Sequence, residues 1–200
     1  MTRRLTDLEG EEERRKGWES TFLILVSDRF EYLVSDFCFI KQTSCRIGDN
    51  GQEGFLVCSY VLRSQPCVAV FVVFDTVEFN VNVNIKRLNH GSFETTLYDG
   101  TSAVNLADLA IKEAGDYLFE GIPFPRCKPS MTTKEYANCR NECRKIFELH
   151  FEDVISHMAI ALRKFGMKYL QGDTSEFDLD VIFAKKRAAE EMRQWRQDNL

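Results

Sequence analysis

The side chains with the widest chemical repertoire in this sequence are seven cysteines: Cys38, Cys45, Cys58, Cys67, Cys127, Cys139 and Cys143. Cys139 and Cys143 stand four apart, a spacing that places both sulfurs on one face of a helix, and Cys127 could join them as a third metal ligand. Against that reading, no second close cysteine pair is present, and both positions fall on an apolar stripe where cysteine packs as a small hydrophobe. The expectation is core packing, with no metal and no cofactor. His150 and His157 lie about 10 Å apart along a helix at roughly 1.5 Å per residue, too far to share one ion, and neither belongs to an HExxH motif. A cysteine paired with either histidine would make a nucleophile and its base, partners that meet only in the fold, but no local signature selects one thiol from the seven.

Carboxylates offer a second chemistry. Asp75, Glu78 and Lys86 flank a strand pair in the manner of a metal-dependent nuclease hairpin, in which paired carboxylates hold a divalent cation and a lysine stabilises developing charge. Asn84 stands where such a hairpin would need a carboxylate, the acidic balance disfavours a nucleic-acid substrate, and turn and solvated-face roles are the preferred account of the charges. Phosphate-binding glycine loops, nucleophile elbows and dinucleotide fingerprints are absent.

The third pattern suits binding rather than catalysis. Val77, Phe79, Val81, Val83 and Ile85 alternate with Glu78, Asn80, Asn82 and Asn84, so one face of a strand packs while the other meets water or a partner. Asn80, Asn82 and Asn84 form a row of neutral donors and acceptors on a rigid strand, the candidate partner-binding site; its bland alternative is a wet sheet face. Phe119, Ile122 and Phe124, among prolines, make a second candidate surface, for which folding back onto the core is the simpler expectation.

The elements that must position these groups follow from hydrophobic period. Trp18, Phe22, Leu25, Val26, Phe30, Leu33, Val34 and Phe37 recur at helical spacing. Phe37–Ile47 and Phe55–Arg63 read as a hairpin around Gly48, Asp49, Asn50, Gly51 and Gly54. Cys67–Phe74 suits a central strand, Val77–Ile85 its neighbour, and Phe93–Tyr98 a short last strand. Thr101–Ala114 reads as a helix ended by Gly115, and Asp116–Ser130, with three of the four prolines, as a connecting loop. Thr132–Phe165 predicts one long helix with Tyr136, Cys139, Cys143, Phe147, Val154, Met158, Leu162 and Phe165 inward, and Gly166 bends or ends it. Glu176–Phe183 alternates and is ambiguous, but with the helix-forming run Ala184–Trp195 the segment is assigned as helix. The expected architecture is α+β: an antiparallel sheet of four or five strands packed with N-terminal and C-terminal helices.

Two hundred residues with 44% hydrophobic content suit one domain, expected over residues 18–200 after a charged leader, 1–17. Sixteen Phe residues imply a core built from large flat rings. A net charge of -5 opposes general nucleic-acid binding and favours a basic protein partner. The odd cysteine set reads as free thiols of the cytoplasm, the N-terminus lacks a secretory pattern, and no apolar run approaches a membrane span.

The order of a helix, FEYLVSDFCF, a hairpin, VAVFVVFD and VEFNVNVNI resembles, over Trp18 to Arg87, small bacterial α+β proteins that include immunity proteins neutralising partner toxins. The resemblance is one of pattern and implies a protein-binding role without supplying site residues. The leading expectation is a non-enzymatic interaction module. Its competitors are a thiol- or metal-dependent enzyme, for example a phosphodiesterase, and an oligomeric structural subunit betrayed by an exposed Phe-rich patch.

Overall fold

A computed structural model of the chain describes residues 17–49, 52–62, 67–75, 80–88, 103–115 and 131–198. Helix α1 (17–29) carries Phe22 and Val26 inward and gives way at Phe30 to a turn and one further helical turn, α2 (Tyr32–Ser35). The helix expected to continue to Phe37 is therefore broken, and the strand expected from Phe37 starts at Ile40. The exit explains both shifts. Phe39 N–H donates to the Leu33 carbonyl at 2.8 Å, and Cys38 adopts a left-handed φ of 58°, which turns the chain toward the sheet.

Five strands follow: β1 (Ile40–Asp49), β2 (Gln52–Leu62), β3 (Cys67–Asp75), β4 (Asn80–Leu88) and β5 (Ala103–Asn105). They pair in chain order, every neighbour antiparallel. Gly48 and Asp49, expected in a turn, pair in the β1–β2 ladder, and Gly54 lies in β2 between the paired Glu53 and Phe55, where the register shifts. The fifth described strand lies in what was expected to be the start of a helix. Asn105 ends β5 and caps α3 (Leu106–Ala114), which Gly115 closes at φ 68°. Residues 1–16 of the expected leader, Phe93–Tyr98 and the connection 116–130 lie outside the described residues, and Gly17 begins α1.

The predicted long helix is two: α4 (Thr133–Leu149), opened by a reciprocal Thr132–Glu135 capping box, and α5 (Phe151–Phe165). His150 divides them with ψ 22°, and Glu152 and Asp153 then occupy the first turn of α5, where the helix dipole favours negative charge. A short α6 (Met167–Leu170) and the long α7 (Phe177–Asp198) complete the α+β fold.

One core joins the helices to a single face of the sheet. Phe74 of β3 is its hub, with ring centroids 5.5 Å from Phe22, 5.9 Å from Phe147 and 5.3 Å from Phe151, so α1, α4 and α5 meet over one strand. Tyr60 and Tyr32 reach the same core and donate their hydroxyls to the carbonyls of Val26 and Ala159. The Phe content is thus largely a packing feature: among the described residues the exposed large apolar side chains include Ile24, Leu149, Ile160 and Leu179, but no Phe.

Candidate functional site

Alternation divides each central strand between two environments. In β4, Val81, Val83 and Ile85 are fully buried against the helices, whereas Asn80 is exposed and Asn82, Asn84 and Lys86 are half-buried on the other face. Antiparallel register then sets the rows across that second face. Val73 stands beside Asn82, Phe71 beside Asn84 and Asn84 beside Asn105, while Ala69, Lys86 and Ala103 form the next row. Val57, Val61, Ala69 and Phe71 make a small buried cluster on this face, so its β2–β3 half is apolar and its β4–β5 half polar.

The three asparagines are consequently not equivalent. The Ala107 N–H donates to Asn105 Oδ1 at 2.8 Å, capping α3, and an N–H can only donate. This orients the Asn105 amide, so that its Nδ2 donates to Asn84 Oδ1 at 3.1 Å. Asn84 therefore spends its acceptor within the fold and keeps its –NH2 donors, which have no partner among the described residues. Asn80 and Asn82 make no side-chain hydrogen bond among the described residues and remain available to water or a partner.

A cavity of about 330 Å³ opens where this face meets α7. Phe71, Asn84 and Asn105 form one row of its floor, with Lys86 and Ala103 beside them. Its wall is Val181, Ala184, Lys185 and Ala188 of α7, one helical stripe at intervals of three and four residues. Ala184 and Ala188 are small, which leaves the space unfilled. Asp108 of α3 closes one end and is engaged by Arg187, whose Nε and Nη2 lie 2.7 and 2.6 Å from Oδ1.

A buried carboxylate holds α7 in this position. Asp180 is 1% exposed, accepts hydrogen bonds from the Tyr169 hydroxyl and Lys112, and pairs with Lys168 at 3.0 Å. Burial pushes its pKa up, but donation from Lys112, Tyr169 and Lys168 prevails and holds the carboxyl below the usual range. Burial, and then the hydrogen bond to Asp180, pushes the Tyr169 hydroxyl well above its ordinary value. The sequence reading missed Asn105, Asp108, Asp180, Lys185 and Arg187. Two signals were present: Asn105 directly precedes an apolar helical run, an N-cap pattern, and Asp180 interrupts the inward stripe of Phe177, Val181 and Ala184.

The other candidates are not assembled into a site. Asp75 pairs with Asn80 and Ala69 with Lys86, so Asp75 and Lys86 are separated by six strand positions, about 20 Å, too far to share an ion or a phosphate. Glu78 lies outside the described residues. Cys139 is disulfide-bonded, which corrects the expectation that all seven cysteines are thiols and removes it as a free metal ligand; its partner sulfur lies outside the described side chains. Cys38, Cys58 and Cys143 are free. Burial pushes the Cys58 thiol up to about 11, against the pull of Lys41, and burial with the nearby Glu142 raises Cys143, the reverse of what an activated nucleophile requires. His150 Nδ1 sits 3.2 Å from Asp153 Oδ2, whereas the buried Nδ1 of His157 has no hydrogen-bond partner. Among the described residues no group of three or more His, Cys, Asp and Glu side chains is placed to hold a metal ion, and no helix is long and apolar enough to cross a membrane.

No protein-family model matches this chain, and neither a curated protein nor a solved structure matches it.

Proposed function

We propose that the chain is a non-enzymatic protein-binding module whose docking surface includes Asn80 and Asn82, an immunity or inhibitor protein being one concrete form. The observation that carries this reading is the division within β4: three side chains on one face are fully buried, and the asparagines between them keep an accessible amide on the other. A strand paired along its length with β3 and anchored through Val81, Val83 and Ile85 positions those amides, so less entropy is lost when they engage a partner. The net charge of -5 suits a partner of basic character. Asn84 supports this surface from within, through its bond to Asn105.

The test is capture of partners from native lysate by the wild-type chain and by an Asn80→Ala, Asn82→Ala double variant with an unchanged unfolding curve. One stoichiometric partner, retained by the wild type and lost by the variant, is the expected result. Equal capture by both proteins, or no partner under conditions that preserve weak complexes, overturns the reading. Thiol trapping of the lysate protein followed by mass spectrometry separates two compartments: free Cys38, Cys58 and Cys143 favour the cytoplasm, and the Cys139 disulfide favours an oxidising one.

A further inference from the structure

We infer that α7 is a detachable strap: it releases from the body as a unit while the sheet and α5 stay folded, and its release uncovers the row of Phe71, Asn84 and Asn105 that floors the cavity. Release does not depend on whether the face carrying Asn80 and Asn82 docks a partner.

The footing of α7 is narrow. Among its described side chains only Phe177, Asp180 and Val181 are buried, and from Ala188 to the end of the helix every described side chain is exposed. By contrast α5, with 15 residues against 22, buries seven side chains, all of them apolar. Burial of apolar surface is the main force that holds an element to a fold, so α5 leaves only when the core opens, whereas α7 has little such surface to give up.

What holds α7 is largely ionic and comes from three other elements. Asp178 pairs with Arg87 of β4 at 2.8 Å, Arg187 with Asp108 of α3 at 2.6 Å, and Asp180 gathers Lys112 of α3 with Lys168 and Tyr169 of α6. Lys168 also reaches Glu176, just before the helix, at 2.7 Å. A buried charge pair gains little net stability, because desolvation offsets the attraction, and water takes back each of these groups when the helix lifts away. The apolar contact is confined to the N-terminal end, where the Phe177 ring lies 5.5 Å from Tyr169 and 5.3 Å from the Arg87 guanidinium. That end also carries the hinge. Gly172 sits at φ 84° between α6 and α7, and no side chain from Gln171 to Glu176 is buried. An element held in this way opens with a free energy below that of global unfolding.

Hydrogen exchange of the full-length chain at neutral pH, read by mass spectrometry on peptides from α7, α5 and β3, tests the assignment. Amides of residues 181–188 are expected to exchange at least about a hundredfold faster than those of α5 and β3, after correction for intrinsic rates. Phe22→Leu, a core substitution beside Phe74, should speed exchange in α5 and β3 about tenfold and leave α7 unchanged, since Phe22 is packed alike with the strap on or off. Asp180→Asn should speed α7 about tenfold or more, which simple fraying of the helix would not show. Arg187→Gln, at the half-buried pair with Asp108, acts in the same direction by a smaller factor and serves should Asp180→Asn fail to fold. Protection of α7 equal to that of α5 overturns the assignment. So does a Phe22→Leu chain in which α7 accelerates as much as α5, or an α7 whose exchange neither Asp180→Asn nor Arg187→Gln alters.

Discussion

The two faces of the sheet are made by the same strands yet follow different rules. On the helix side, Val70, Val72 and Phe74 of β3 are fully buried in a continuous core, and every ring around Phe74 belongs to a different helix or turn of helix. On the other side, Phe71 and Val73 of the same strand face asparagines and a cavity. The first face is specified by apolar volume, the second by hydrogen-bond direction. Packing tolerates few changes but carries no chemical selectivity, whereas a row of oriented amides costs little to alter and selects what can bind.

The largest expected effect tests this contrast within one strand. Phe74→Ala should cost about 3–5 kcal/mol in urea unfolding, because three rings lose a common neighbour, while Phe71→Ala, beside an existing cavity, should cost about 2 kcal/mol. Equal losses would mean that the two faces are packed alike. Next, Asp180→Ala should cost about 3 kcal/mol, the low end for a broken buried pair because Lys112 and Lys168 still reach solvent. The same carboxylate gives a pH signature. Its folded pKa is depressed, so its contribution is present above the unfolded value, about pH 4, and is lost as pH falls through the folded value. Unfolding curves across that interval should be flatter for Asp180→Asn than for the wild type.

Smaller effects separate the asparagines. Asn105→Ala removes the α3 cap and should lower stability by about 1 kcal/mol, measured as a shift of the denaturation midpoint. Asn80→Ala, on an exposed side chain without a hydrogen bond among the described residues, should stay within about 0.5 kcal/mol of the wild type while partner capture falls. A large loss at Asn80 would erase the proposed distinction between the structural and the binding ends of the row.

The pattern of β4 was legible before any coordinates, since a period of two assigns Val81, Val83 and Ile85 to one side and the asparagines to the other. Helix breaks were harder. No Gly or Pro marks the turn at Phe30 or the division at His150, and the apolar spacing runs through both because the same core lies on either side. The short β5 was read as helix for a related reason: three residues are too few to display a period.

Composition and period by themselves determined the α+β class, the four long strands, the helical character of the C-terminal half and the apolar faces of α1, β4 and α5, because those properties depend on near neighbours in the chain; Tyr136, expected inward on α4, is exposed instead. Tertiary structure alone decided that Asn105 meets Asn84, that Arg187 meets Asp108 and that Asp180 gathers Tyr169, Lys112 and Lys168. Hydrogen bonds between distant elements leave no periodic trace in a sequence. They depend on register and helix placement to within a few tenths of an ångström, and such precision exists only once the core has closed.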